Sequence, residues 1–266
     1  SSAKGLSVTV THNLAALDAQ MDDLTIHQLN IDSQSKLQGK RFNQRGELTV
    51  ERIGAAIPLE NISAHFSATD LLQRERASLA LRDLKLTMLD GQFKLPALET
   101  ALSTPRGKGT LSFKDLPLDS VLSLEQQPTL TGSGELAGTL PFTFKGDQFS
   151  VNQGLISAQQ AGYIRYAANP AVRASAAQNQ GLSIALQVLE NFHYSALDIA
   201  MDYFPNGRLL LANKLSGSNP NWQSGQPIEL NVNVEENLLQ LLKALQFSSE
   251  LNESLQRKLE QQQNTP

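Results

Sequence analysis

The chain has 266 residues, of which 40% are hydrophobic, 6% aromatic and 18% charged. A formal net charge of −4 argues against a nucleic-acid-binding protein, because such a protein needs a basic surface. The absence of cysteine excludes disulfides, iron–sulfur clusters and cysteine-ligated zinc. Ser, Thr, Asn, Gln and Gly make up much of the remainder, and this mixture suits strands with one apolar and one polar face.

Alternation of apolar and polar residues with a period of two dominates the chain and predicts β-strands. In chain order the predicted strands include Leu24–Ile26, Leu48–Val50, Leu79–Leu81, Leu84–Met88, Leu111–Phe113, Leu140–Phe144, Phe149–Val151, Leu197–Tyr203 and Ile228–Val234. Turn signals lie at Asp90-Gly91, Gly107-Lys108-Gly109, Gly132-Ser133-Gly134, Gly146-Asp147, Pro205-Asn206-Gly207 and Gly225-Gln226-Pro227. This order predicts a mainly β protein with consecutive antiparallel strands.

The alternation changes its parity in the first half of the chain. Apolar positions switch from odd to even numbers across Arg82-Asp83 and again across Lys114-Asp115. A strand that keeps its apolar side chains on one face must absorb each switch in a β-bulge or a corner. Segments 79–86 and 111–118 also align as a repeat, which is either a recurring bulged strand or a chance similarity. Recurring bulges would twist and curve the sheet into a trough.

Helical periodicity appears in three places. A helix is predicted near 180–192, with one face formed by Leu182, Ala185, Leu186, Leu189 and Phe192. A second is predicted from residue 236 onward, after Glu235-Glu236, with a face formed by Leu238, Leu241, Leu242 and Leu245. A further helical pattern precedes a polar tail and contains Leu251, Leu255 and Leu259. We therefore expect a β-domain over 1–234 with one inserted helix, and C-terminal helices with a tail over 235–266.

No group of residues has the spacing of a catalytic or metal site. The four histidines, His12, His27, His65 and His193, lie in separate segments and show no metal-ligand spacing. No pair of carboxylates or nucleophile with a base can be assigned reaction roles. The sequence therefore predicts no enzyme, no catalytic residue, no metal and no cofactor.

Six segments in a fixed order carry a resemblance to a known family. They are Leu81–Phe93, Gly109–Leu122, Gly132–Phe142, Gln153–Ile156, Gly162–Tyr166 and Val234–Leu238. From about Leu79 to the C-terminus this series resembles the YdbH-like family, in the AsmA-like group of bridge-type intermembrane lipid-transport proteins of Gram-negative bacteria. Residues 1–78 resemble the family only in style.

The resemblance implies a fold, a function and partners. The fold is an elongated U-shaped β-groove, of which this chain would be a fragment, whose apolar interior shields the acyl chains of phospholipid. The location is the periplasm, between the inner and outer membranes. The partners are phospholipid, a small YnbE-like outer-membrane lipoprotein at the C-terminal end, and the inner membrane through an N-terminal anchor outside this sequence.

The alternation selects candidate residues for such a groove. The predicted lining consists of Leu79, Leu81, Leu84, Leu86, Met88, Leu111, Phe113, Leu140, Phe142, Phe144, Leu197, Ile199, Met201, Tyr203, Ile228, Leu230, Val232 and Val234. The residues predicted to face outward are Asp198, Asp202, Glu229, Asn231 and Asn233. The strand Ile228–Val234 is followed by no further predicted strand, so Ile228, Leu230, Val232 and Val234 also form the candidate edge for a partner.

Two other interpretations of these patterns stay open. The apolar strand faces could pack on each other in a non-enzymatic β-sandwich or β-solenoid of the cell envelope. The chain could also be an enzyme on a β scaffold, such as a carbohydrate-active β-helix. Near the C-terminus, the leucine-rich helix could serve as a platform for a partner, fold back over one of the lining strands, or plug the mouth of the groove.

Overall fold

The computed structural model describes residues 7–21, 24–125 and 129–245. Strands account for 66% of the described residues and form one open, antiparallel sheet of 14 strands. The prediction of a mainly β protein with serial antiparallel strands is therefore confirmed. The β-sandwich alternative is wrong for the described residues, because their strands belong to a single sheet.

The strands are long and follow one another closely along the chain. The first seven are β1 Ser7–Met21, β2 Leu24–Gln38, β3 Arg41–Gly54, β4 Leu59–Thr69, β5 Ser78–Met88, β6 Gly91–Ala101 and β7 Arg106–Pro117. The other seven are β8 Leu130–Ser133, β9 Glu135–Lys145, β10 Gln148–Ala158, β11 Gly162–Tyr166, β12 Phe192–Tyr203, β13 Arg208–Ser218 and β14 Ile228–Asn237.

Neighbouring strands in the sheet are also neighbours in sequence, if two strand positions are each recognised as one line interrupted by a break. Short strand β8 continues the line of β9, and β11 continues the line of β10, because β8 pairs with β11 and both β10 and β11 pair with β12. Each such pair of strands occupies one position, which leaves twelve strand positions across the sheet. At the usual spacing between strands, the sheet extends for about 50 Å.

Helices lie at the ends of strands. They are α1 Leu118–Leu122, α2 Pro170–Ala176, α3 Gln180–Leu189 and α4, which is described over 238–245. The caps of α2 and α3 are Asn169 and Asn179, whose side chains accept hydrogen bonds from backbone N–H groups of the first turns. The described helices include none with the length and hydrophobicity of a bilayer span.

Three helix predictions need correction or lie outside the description. The helix predicted near 180–192 ends at Leu189, because Phe192 begins β12. Glu235 and Glu236 do not start the C-terminal helix, since β14 runs on to Asn237. The predicted helix with Leu251, Leu255 and Leu259 and the polar tail lie outside the described residues.

The predicted β-bulges are confirmed at both parity switches. Asp83 in β5 and Asp115 in β7 adopt φ values of 52° and 54°, and the strand register shifts beside each of them. Asp tolerates this left-handed conformation better than most residues do. Each bulge places two successive residues on the polar side of the sheet, so that the apolar side chains before and after it share one face.

Other bulges occur at residues for which the left-handed conformation is less favourable. Ala16, Gln28 and Gln153 have φ values of 53°, 54° and 56°. In each case a side chain of the neighbouring strand accepts a hydrogen bond from the bulged N–H. The acceptors are Asn30 for Ala16 at 2.9 Å, Asp18 for Gln28 at 2.8 Å and Asp202 for Gln153 at 2.8 Å. These cross-strand bonds offset part of the backbone strain.

Candidate functional site

One face of the sheet is apolar from β1 to β14, and we call it the apolar face. Residues directly opposite each other in an antiparallel pair share a face. Leu215 of β13 pairs with Leu197 on one side and with Leu230 on the other. Across the middle of the sheet, Phe113 of β7 pairs with Phe93 of β6. The same relation links every strand position through at least one row of apolar side chains, such as Leu14, Ile31 and Leu48, so an apolar path crosses the whole sheet.

The structure places every predicted lining residue on the apolar face. The bulge at Asp83 keeps Leu81 on the same side as Leu84, since these residues pair with Leu98 and Leu95 of β6. Asp198, Glu229, Asn231 and Asn233 lie exposed on the opposite, polar face. Asp202 also lies on that face but is half-buried, because it binds the bulge at Gln153.

The centre of the apolar face is buried although helices pack mainly at its margins. Phe93 and Leu95 are 4% and 5% exposed, and Val151 is 3% exposed. Among the described residues, the closest helix packing is that of α1 on β7 and β8 and of α3 on β11, at the strand ends. The side chains of the apolar face therefore exclude water largely by packing on one another.

Two clusters of buried side chains lie on this face. The first, near α1 and α3, is formed by Phe93, Phe113, Leu116, Leu118, Leu136, Val188, Phe192, Tyr194, Leu197 and Leu215. The second, nearer the opposite strand ends, is formed by Leu95, Phe142, Val151 and Tyr203. Leu238, the first residue of α4, packs against this second cluster. The C-terminal helix thus touches the apolar face at one end of the strands.

Glycines on the apolar face lie beneath aromatic rings of the neighbouring strand. A Cβ atom on Gly107 would lie 2.6 Å from the ring of Phe144, and one on Gly109 would lie 2.8 Å from that of Phe142. These two glycines were predicted in a turn, and that prediction is wrong, because they lie within β7. The missing side chains let the rings lie flat across the strand.

Tyr194 fixes the place where β8 breaks into β9. Its hydroxyl donates a hydrogen bond of 2.7 Å to the backbone oxygen of Ser133, and its burial raises the pKa of the phenol. Gly134, with φ 127°, and Gly162 lie against this hydroxyl with no room for a Cβ. The turn predicted at Gly132-Ser133-Gly134 is therefore wrong: Gly132 and Ser133 lie in β8, and Gly134 is the break before β9.

Strand β14 forms one edge of the sheet. Within the described residues it pairs with β13 alone. On the polar face the Arg208 guanidinium binds the Glu235 carboxylate through two contacts, Nε to Oε1 at 2.7 Å and the second nitrogen to Oε2 at 3.2 Å. The hydrogen bonds between these two side chains lower the pKa of the Glu235 carboxyl and raise the pKa of the Arg208 guanidinium. Sequence reasoning missed this pair, since its partners are 27 positions apart.

The described residues contain no cluster of three His, Cys, Asp or Glu side chains suited to a metal ion. We therefore take the apolar face, the most extensive surface of uniform character among the described residues, as the candidate functional site. An open antiparallel sheet with one continuous apolar face defines a class of protein that presents a long surface to hydrophobic ligands.

Comparison with known families places the chain within this class. A family model described as "YdbH-like: Intermembrane phospholipid transport protein YdbH" matches residues 1–260, and the chain belongs to this family. The match includes the first 78 residues, in which the sequence resemblance is one of style alone. No curated protein and no solved structure gives a significant match. The family is one of lipid transport rather than an enzyme class, and membership implies phospholipid transport between the membranes of the Gram-negative envelope.

Proposed function

We propose that the apolar face is the path along which phospholipid acyl chains cross the periplasm between the inner and outer membranes. The strands would run across this path, and the sheet would curve around it as a groove. The single observation that carries the proposal is the continuity of the apolar face over all strand positions. Family membership supplies the substrate class.

The hydrophobic effect explains how such a surface holds lipid without specific contacts. Each methylene group removed from water contributes about 0.8 kcal/mol. A long acyl chain is therefore held firmly overall, while moving by one strand position exchanges similar contacts for similar contacts. The sheet length of about 50 Å exceeds the thickness of a bilayer's hydrocarbon core, about 30 Å, so several acyl chains fit along it.

The free edge of β14 supports a second part of the proposal. An edge strand presents unpaired N–H and C=O groups that another chain can extend by β-augmentation. We assign this edge, with Ile228, Leu230, Val232 and Val234 on its apolar side, to the small outer-membrane lipoprotein that the family resemblance implies. A partner strand added here would lengthen the apolar face toward the outer membrane. Attachment to the inner membrane stays a prediction.

Native mass spectrometry of the gently purified chain tests the proposal. Phospholipid masses should accompany the folded protein, and they should be lost when a detergent with a competing alkyl chain is added. A protein that carries no phospholipid, and that takes up none from mixed micelles, would contradict the proposal.

A further inference from the structure

The apolar face has a polar interruption near its first strands, which we call the polar island. It consists of His12 of β1, Ser33 and Ser35 of β2, and Gln44 of β3. Ser33 pairs with His12, and Ser35 pairs with Gln44, so all four lie on the apolar face. The side chains around them are apolar.

The island contains hydrogen-bonding capacity that the protein leaves unused. Ser33 and Ser35 are each 5% exposed. The Gln44 amide donates to the Ser33 hydroxyl at 2.9 Å. The Ser35 hydroxyl makes no hydrogen bond to another described group, and its oxygen is not fully enclosed. A hydroxyl on a surface that apolar chains cover is costly unless the ligand brings an acceptor.

The two directions along the strands from the island differ in chemistry. Along β2 and β3, in the direction away from the turn that joins them, the next paired residues on the apolar face are Ile31 and Leu48. Toward the strand ends, beyond the pair of Leu37 and Phe42, the chain turns at 39–40. The turn begins about 13 Å beyond Ser35 at the usual rise per residue.

That end of the sheet is basic. The turn between β2 and β3 carries the exposed Lys40, and the exposed Lys36 and Arg41 flank it on the polar face at the ends of these two strands. The neighbouring loop between β4 and β5 lies against β3, because the Leu71 N–H donates to the Phe42 oxygen at 2.9 Å. This loop adds Arg74 and Arg76, against the acidic Asp70 and Glu75. The two turns and the strand ends that flank them carry five basic and two acidic side chains.

We propose that this region is a stopping place for a diacyl phospholipid on its path along the apolar face, an inference that rests on the proposed function. The acyl chains lie on the rows beyond Ile31 and Leu48. The ester carbonyls accept hydrogen bonds from the hydroxyl of Ser35 and from the other hydroxyl and amide groups of the island, which are neutral donors suited to neutral acceptors. The phosphate lies toward the basic turns, where long cationic side chains meet it.

Site-specific photo-crosslinking in the full chain tests this. A benzophenone amino acid is placed at Leu48, beside the island, and separately at Ile199, elsewhere on the apolar face. The probe is phosphatidylglycerol with a radiolabelled phosphate, supplied in mixed micelles. Replacing Ser33→Ala, Ser35→Ala and Gln44→Leu together should lower crosslinking at Leu48 by about tenfold, as expected for the loss of one or two hydrogen bonds. Crosslinking at Ile199 should not change.

Charge reversal at Lys40→Glu and Arg41→Glu should also lower crosslinking at Leu48, and this loss should shrink at high salt. Lys145→Glu, at another turn on the same end of the sheet, is the matched control and should have no effect. The single change Ser35→Ala breaks no bond within the described residues, so it tests the island if the triple variant fails to fold.

The outcomes separate the two proposals. Crosslinking that is equal at Leu48 and Ile199, and unaffected by these substitutions, would overturn the stopping place while leaving the lipid path intact. Absence of crosslinking at both positions would overturn the path and the stopping place together.

Discussion

Three glycines of the apolar face, Gly107, Gly109 and Gly138, show how single residues shape this surface. Each lies opposite a phenylalanine of the neighbouring strand, and each ring occupies the space where a Cβ would be. Cross-strand packing of this kind stabilises a sheet, and it also keeps bulky rings from projecting into the space above.

Gly138→Ala tests this arrangement at one position. The added Cβ would lie 2.8 Å from the ring of Phe113 and 2.6 Å from the backbone oxygen of Leu155. We expect thermal or urea denaturation to show a loss of about 1–3 kcal/mol, as is usual for overpacking. Gly181→Ala in α3 is the matched control, since its nearest contact is 3.4 Å and alanine favours a helix. Equal effects of the two changes would refute the packing argument.

The hydrogen bond from the Gln153 N–H to Asp202 gives a second residue-scale prediction. Asp202→Ala leaves the bulged N–H without its acceptor, and we expect a loss of about 1 kcal/mol in the free energy of unfolding. Asp202→Asn keeps an acceptor oxygen and should lose less. Asp198→Ala, on the same strand and face, is the control. If it destabilises as much as Asp202→Ala, the bond does not hold the bulge.

At the scale of elements, the sequence predicts strands and two of the bulges but not what interrupts them. Leucine alternation around Asp83 and Asp115 is a local signal, so the register shifts could be read directly. The glycines of β7 look like turn glycines in the sequence. Their role in a strand depends on the rings of Phe142 and Phe144, which lie over them from β9. The helix α2 was missed because its segment has no extended apolar period.

The polar island and the ion pair of Arg208 with Glu235 could not be predicted from the sequence, because both depend on how the strands pair. Each exists because the sheet register brings distant residues together, and sequence spacing alone does not reveal register. The predicted lining residues, by contrast, could be assigned to a common face, because alternation and the parity switches encode it locally. Their role in lipid binding stays a prediction.

Strand β14 should respond to pH through Glu235. The pKa of this carboxyl is lowered in the folded protein by its hydrogen bonds to Arg208. A lowered pKa adds stability at pH above the ordinary value for Glu, about 4.3, and this stability is lost as pH falls through the folded value. We expect amide protection in β14 to fall over this acid range in hydrogen-exchange measurements corrected for intrinsic rates.

Glu235→Gln should abolish that acid step and leave β14 less protected at neutral pH. Glu229→Gln changes a carboxyl on the same strand and face that has no basic partner among the described residues, and it should preserve the step. An acid step that survives Glu235→Gln unchanged would exclude the ion pair as its source.

The role of α4 can be tested by truncation. Leu238 packs on the cluster around Tyr203, while Asn237 caps the helix through the Gln240 N–H at 3.1 Å. Because the described part of α4 touches one end of the apolar face, we expect removal of residues 238–266 to reduce amide protection of β13 and β14 without raising the amount of bound phospholipid. A protein ending at residue 245 retains the described part of α4 and is the control. Increased lipid in the shorter protein alone would identify α4 as a plug.

At the scale of the whole molecule, the two faces of the sheet differ: one is apolar along its length apart from the polar island, and the other is polar. This arrangement follows from alternation, from bulges that preserve it, and from the absence of a second sheet among the described residues. A single open sheet can bury its apolar face against itself only in part, and in the proposed function phospholipid supplies the remaining cover.

The most direct test places charge on the apolar face and compares it with charge on the polar face of the same strands. Ile199→Asp with Val232→Asp interrupts the apolar face on β12 and β14. Ala200→Asp with Asn233→Asp adds the same two carboxylates one residue further along each strand, on the polar face. The measurement is transfer of a fluorescent phospholipid between vesicles, with circular dichroism confirming that both proteins fold. We expect the first pair to abolish transfer and the second to preserve it, and equal transfer by the two folded variants would contradict a lipid path along the apolar face.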